Sequence, residues 1–287
     1  MILSRLFVYP LKAGRGIELT HAQVTSQGLL FDRRFMLVDA RGRFVSQRTH
    51  PALALVEQRL TADTLVVSSR LGLLEVPLEP PREAREGATR EVVVWGDRVA
   101  ARSLGAEWAA YFSRLLEAEV ELVRLEEGAV REVDRAYARG GERVGFADGF
   151  PFLLACEASR AALEREAGVP LVMERFRPNL VVSGSEPWSE DDWTSLRVDT
   201  AGGALVFPIV KPCARCTVTN VEPTTAAVGR EPLATLERLR RRGNKVIFGQ
   251  NLLVATELRD AATALGTLRV GDAVRATTAA TSPEPPC

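Results

Sequence analysis

Hydrophobic and polar positions in the first hundred residues alternate in short runs, the period of strands that bury one face. Residues 3–9 alternate, and 35–39 is followed by a turn at Ala40-Arg41-Gly42-Arg43 and a second run at 44–47. Further short runs lie at 52–60, 65–68, 73–76 and 92–95. Strands this closely spaced, joined by polar or glycine-bearing turns, predict a barrel-like or sandwich lobe. Trp108, Phe112, Leu115 and Leu116 then fall at helical spacing, so one helix over 105–117 closes the lobe.

From 126 to 149 the chain is charged and glycine-bearing with no sustained period, which suits a linker or a flap over a junction. The lobe boundary is placed near Val120. Beyond it the pattern is mixed. An apolar run at 152–155 precedes a helix over 157–167 that Gly168 stops, and strands are expected at 179–182, 205–210, 217–221, 251–256 and 267–270. Pro232 opens a helix over 233–242 with Gly243 as its stop, and 270–274 reads as a tight turn between two strands. The expected fold is a β-rich mixed α+β chain in two lobes, 1–120 and 121–276, with 277–287 (ending Ser-Pro-Glu-Pro-Pro-Cys) as a disordered tail.

Composition removes several function classes. The 287 residues are 46% hydrophobic and 26% charged, and 37 basic residues balance 37 acidic ones. No net field draws the molecule to nucleic acid, and no apolar run approaches the ~20 residues that span a bilayer. The opening residues have the wrong flanks for a secretory signal. Neither nucleic acid nor a membrane is therefore an expected partner. Four cysteines, at 156, 213, 216 and 287, are too few for a disulfide scaffold and favour a reducing compartment, the cytoplasm. His21 and His50 are the only histidines, so no His-Glu-x-x-His zinc helix exists; no P-loop and no helix-opening G-x-G-x-x-G occurs. Lys12, Lys211 and Lys245 are the only lysines, leaving arginine, with its planar fork, as the tool for binding anions.

Chemistry concentrates in Lys211-Pro212-Cys213-Ala214-Arg215-Cys216. Cationic neighbours favour the thiolate, the form that attacks or ligates metal. Four readings stand open: two small core thiols, part of a zinc site, a redox dithiol, or a single thiolate on a soft metal whose other ligands come from a cofactor. A dithiol motif normally opens a helix, whereas the following residues read as strand. A second group of cations lies in turns: Lys12 and Arg15 in Tyr9 to Gly16, Arg33 and Arg34 after Asp32, Arg48 in Ser46-Gln47-Arg48, and Arg175 and Arg177 before Asn179. Each alone is most simply a solvated or salt-bridged arginine. Converging on one cleft, they would bind a phosphate-bearing anion.

Several of these motifs occur in an order that resembles a known family. They are Tyr9-Pro10-Leu11-Lys12, Asp32-Arg33-Arg34-Phe35-Met36-Leu37-Val38, Pro151-Phe152-Leu153-Leu154 with Glu157-Ala158-Ser159, and Phe176-Arg177-Pro178-Asn179. The cysteine motif, Phe248-Gly249-Gln250-Asn251 and Val270-Gly271-Asp272 follow. The chain resembles MOSC-domain proteins that carry a companion N-terminal β-barrel domain, the group that includes the mitochondrial amidoxime-reducing component and its bacterial relatives. The resemblance implies a barrel-like first domain followed by a MOSC β-barrel with flanking helices. It implies a molybdenum cofactor, with Cys216 as the metal ligand that tunes the metal and Cys213 beside it. Lys12, Arg33 and Arg177 match positions that contact the pterin and phosphate, and Asn179, Ala214 and Arg215 match others lining the site. Ala13 stands where many members carry serine, and Phe150 where a small hydroxyl residue is common. Pyridoxal phosphate binding is a further cofactor the resemblance admits. The implied reaction is two-electron reduction of small N-oxygenated substrates, with electrons from a separate cytochrome, flavoprotein or ferredoxin and no membrane anchor. Asp32 and Glu157 are the nearest proton-handling groups by motif. The alternative is a cofactor or sulfur carrier without turnover of its own.

Overall fold

The computed structural model describes residues 1–79, 89–255 and 263–279. The chain begins with β1 (Ile2–Val8), β2 (Ile17–Leu19), β3 (His21–Thr25), β4 (Gly28–Leu29) and β5 (Phe35–Val38). It continues through β6 (Glu57–Leu60), β7 (Thr64–Ser69), β8 (Gly72–Pro77), β9 (Thr89–Val94), β10 (Asp97–Ser103), α1 (Ala106–Leu116) and β11 (Glu121–Leu125). Two antiparallel sheets, β5-β11-β10-β9 and β6-β7-β8, face α1. Leu37, Val67, Val76, Phe112, Leu116 and Leu122 fill the space between them. The helix ends where Glu117 turns into the left-handed region.

The second half adds β12 (Phe152–Cys156), α2 (Glu157–Ala167), β13 (Leu180–Ser183), β14 (Trp193–Thr200) and β15 (Gly203–Ala214). Next come α3 (Leu233–Leu239), β16 (Arg241–Arg242), β17 (Lys245–Leu252), β18 (Gly266–Arg269) and β19 (Ala273–Thr278). The order β12-β13-β1-β19-β14-β15-β17 closes on itself, because Phe152 and Leu154 of β12 also pair with Leu252 and Gln250 of β17. The result is a seven-stranded barrel, which leaves the ring strands without a free edge. Only β12 and β13 run parallel; α2 makes that crossover.

The chain's first strand is thus a stave of this barrel, between β13 and β19. Leu6 and Val8 point into the barrel core and Phe7 and Tyr9 outward, toward a cluster with Leu163 and Leu236 of the helices. A register shift between Leu3 and Arg5 lets Leu3 join the same inner face as Leu6. After β1 the chain leaves the ring: β2 pairs with β1, β3 and β4 form a small sheet with β18, and the first lobe follows before the chain returns at β12. The segment between β11 and β12 is irregular, as its lack of period predicts, yet it is packed. Phe146 is fully buried against the outer face of the four-stranded sheet, beside Met36, Val92 and Val123. Arg131 holds the segment's fold by donating to the carbonyls of Gly145, Ala147 and Asp148.

Several sequence-based elements take another form. Residues 44–47 form no strand: the Ser46 carbonyl accepts from the Thr49 and His50 amides, and its hydroxyl from the Arg48 amide, so the chain turns. The run at 52–60 splits into a 3₁₀ turn, Pro51–Leu55, and β6. Residues 217–221 fold as a 3₁₀ turn, Thr217–Asn220, because the amide and hydroxyl of Thr219 both donate to the Cys216 carbonyl. The third helix ends at Leu239, and Gly243 serves the β16–β17 hairpin instead of a helix stop. The turn at 270–271 is present, but its flanking strands part: β18 pairs with β3 and β19 with β1 and β14. The expected tail at 277–287 starts too early, because Thr277 and Thr278 pair with β14 as the end of β19; residues 280–287 lie outside the described residues.

Candidate functional site

The end of β15 and the turn after it bring Cys213, Ala214, Arg215 and Cys216 to one side of a cleft of about 140 Å³. The loop between β1 and β2 supplies Lys12 and Ala13, the turn before β5 supplies Arg33, and the approach to β13 supplies Arg177 and Asn179. All nine of these residues, which the sequence had singled out, therefore line one cavity. Three of them sit at positive φ, Ala13 at 69°, Arg33 at 46° and Arg177 at 54°. That backbone conformation is costly for side chains other than glycine and is retained where surrounding structure imposes it.

Arginines stack in the floor. Arg33 and Arg177 lie over the Tyr9 ring, 4.2 and 4.3 Å from its centroid. Tyr9 is fully buried and donates to the Pro178 carbonyl at 3.1 Å. Arg177 donates to the Gly14 carbonyl at 2.8 Å. Its burial, only partly offset by Tyr9, pushes the guanidinium down to about 10. Arg33 pairs with Asp32 and donates to the Arg177 carbonyl. Lys12 Nζ reaches the Phe146 carbonyl and Asp148 Oδ1, both at 2.7 Å. Burial pushes the Lys12 ammonium down from the usual lysine range, against the pull of the Asp148 carboxylate.

The polar residues divide by use. Asn179 has both ends of its amide engaged: Oδ1 accepts from the Leu153 amide and Nδ2 donates to the Phe7 carbonyl. It contributes wall, pinning β1 to β12. The Ala13 carbonyl accepts from Gln47 Nε2 at 2.7 Å, so this turn is held without a hydroxyl at position 13. Arg215 donates to Cys213 Sγ at 3.0 Å and to the Phe176 carbonyl at 2.7 Å, while its buried Nε has no partner among the described residues. Asp32 accepts from the Tyr9 amide and pairs with Arg33, and Glu157 pairs with Arg160 on α2. Both carboxylates have arginine partners.

Cys216 is exposed and Cys213 half-buried, whereas Cys156 is buried in the barrel core. The 3₁₀ turn after Cys216 corrects the expected strand, and removes that expectation as an argument against a dithiol. Cysteines 156, 213 and 216 are free among the described residues. Among the same residues no cluster of three His, Cys, Asp or Glu side chains could hold a metal by itself. Sequence reasoning did not carry Phe44, Arg48 and Asp148 to the site. Arg48 was visible as a turn cation; nothing local signals the reach of Asp148 to Lys12.

Five cations (Lys12, Arg33, Arg48, Arg177, Arg215) and one carboxylate, Asp148, line the cleft around an exposed thiol. The thiol together with Lys12, Arg33, Arg177 and Arg215 fits a soft metal delivered by an anionic, phosphate-bearing organic ligand: sulfur for the metal, fixed cations for the anion.

Residues 1–119 match the family described as MOSC N-terminal beta barrel domain, and residues 141–275 the MOSC domain. The chain belongs to the MOSC family. Mitochondrial amidoxime-reducing component 1 of Xenopus laevis is 30% identical over 296 residues, covering 95% of this chain and 81% of that protein. Its Homo sapiens counterpart is 29% identical and covers 95% of this chain and 82% of that protein. A molybdenum cofactor sulfurase of Danio rerio is 31% identical over 266 residues, 86% of this chain. This MOSC chain spans only 31% of the sulfurase's length. No helix among the described residues is long and apolar enough to cross a membrane.

Proposed function

We propose that this MOSC protein is a molybdenum-cofactor-dependent oxidoreductase that reduces small N-oxygenated compounds such as amidoximes, hydroxylamines and N-hydroxylated bases. The observation that carries the reading is an exposed thiol, Cys216, in a cleft whose lining has five cations and one carboxylate. Relatives named amidoxime-reducing components, matched over 95% of the chain, support the reaction class.

Cys216 would hold the metal. Arg33 and Arg177, fixed on Tyr9, would hold the organic anion with Lys12 and Arg215, while Ala13, Ala214 and Asn179 form the walls. The bound cofactor supplies the two-electron oxygen-atom chemistry that no side chain here provides. The chain's own contribution is preorganisation: backbone carbonyls and ring faces fix the floor cations before any ligand arrives, which lowers the cost of ordering on binding. Pyridoxal phosphate is the poorer fit, because it needs a free amine and the one lysine among the described residues that lines the cleft, Lys12, has its Nζ committed to Phe146 and Asp148. We assign the electrons to a separate cytochrome, flavoprotein or ferredoxin, and the protein to the cytoplasm, in keeping with the free cysteines among the described residues.

A second reading, a cofactor or sulfur carrier, is favoured by the similarity to molybdenum cofactor sulfurases. Turnover separates the two. Protein made in a host that synthesises molybdenum cofactor should reduce benzamidoxime with an artificial electron donor, in proportion to its molybdenum content. Molybdenum-loaded protein with no turnover would instead identify a carrier.

A further inference from the structure

Two groups of cation and aromatic side chains stand at the cleft, and the first also touches its floor, with the Phe44 ring 4.8 Å from Lys12 Nζ. On the first-lobe side, Arg48 lies 4.7 Å from the Trp95 ring and 5.4 Å from the Phe44 ring, and these two rings meet edge to face at 5.2 Å. On the other side, Lys211 Nζ stands 4.1 Å from the Tyr137 ring, which meets Phe150 edge to face at 5.9 Å. Phe44, Arg48 and Phe150 line the cleft itself.

Arg48 differs from the floor arginines in two respects. Among the described residues its side chain makes no ion pair, and its one polar contact is NH1 to Cys216 Sγ at 4.0 Å. A guanidinium stacked on an indole keeps its edge N–H groups free to point elsewhere. Here that edge faces the thiol. Trp95, which carries the stack, is 52% exposed although it is a tryptophan, and sits at φ 57° in the turn between β9 and β10. A bulky residue in that conformation is an outlier that packing must sustain, and its indole N–H is tied to Asp148 at 3.1 Å.

We infer that Arg48, held on Trp95 and Phe44, selects the substrate: planar N-oxygenated compounds that carry a carboxylate or other anionic group are preferred over cationic ones. Arg48 recognises the anion through its free edge, and the rings at the mouth cover the planar body. Arg48 is a specificity residue and takes no part in the chemical step. The inference rests on the reductase reading and narrows its substrate class.

The test uses the molybdenum-loaded protein and two probes, 4-carboxybenzamidoxime and 4-(aminomethyl)benzamidoxime. The expected kcat/KM favours the carboxylate by about tenfold or more, the factor one charge-assisted hydrogen bond supplies. Calorimetric titration should show the same order in binding, and added salt should shrink it. Arg48→Ala should bring the ratio near unity through KM with molybdenum content unchanged, and Arg48→Lys should restore part of it. Equal handling of both probes by molybdenum-loaded wild type overturns this inference alone. Loss of molybdenum in Arg48→Ala also overturns it, by moving Arg48 to the cofactor. Wild type that never takes up molybdenum overturns the reductase reading, and the inference with it.

Discussion

Cys156 and Cys216 occupy the same barrel and have opposite surroundings. Cys156 ends β12 and is fully buried in the barrel core. Burial pushes its thiol well above the usual range, and the nearby Glu190 and Asp191 carboxylates push in the same direction. Cys216 follows β15 on an exposed turn with Arg48 beside it and Arg215 one residue away. Neither residue type nor barrel membership separates the two. Burial and the sign of neighbouring charge do, and those decide which thiol can meet a metal.

The contrast can be broken most sharply by alkylation. In cofactor-free native protein, iodoacetamide should modify Cys216 first, with Cys156 at least about a hundredfold slower, since a core thiol reacts only through opening. Peptide mass mapping over time reads both rates, and comparable rates would dissolve the comparison. Asn179 links the two regions, because it lines the cleft while bonding to β1 and β12. Asn179→Ala should cost about 1–3 kcal/mol in denaturant unfolding, for one buried and one half-buried backbone group that lose partners. A loss under about 0.5 kcal/mol would mean the amide is not a clamp. The smallest effect concerns Glu190, whose carboxyl is raised from 4.5, mainly by burial and less by Asp191, with a hydrogen bond from Ser159 opposing. A raised folded value means the folded state keeps a proton that the unfolded chain releases. Stability from Glu190 is therefore full below pH 4.5 and declines as pH rises toward the folded value. Glu190→Gln should flatten that decline in a Tm-against-pH series, and identical slopes would contradict it.

Much of the fold was legible where period and punctuation agree. The helix stopped by Gly168 and the strand starting the chain were both read from local pattern, and both are present. The 44–47 and 217–221 runs carry strand-like residues, yet Ser46 and Thr219 bend them by side-chain bonds that hydrophobic period does not register. Barrel closure was not legible from the residues, because pairing of β12 with β17 joins positions nearly a hundred residues apart. At the site, the cationic turns were visible one by one. Their convergence depends on β1 lying beside β13, which brings Tyr9 under both Arg33 and Arg177. Asp148 carried no signal, since an acid at the end of a charged segment looks like solvated surface until Lys12 is beside it.

The most direct measurement is molybdenum per chain, by mass spectrometry, in wild type, Cys213→Ser, Cys156→Ala and Cys216→Ser purified side by side from a host that makes the cofactor. We expect molybdenum near one per chain in wild type and largely kept in Cys213→Ser and Cys156→Ala, but nearly absent from Cys216→Ser, with all four equally folded by circular dichroism. Equal molybdenum in wild type and Cys216→Ser would contradict the account.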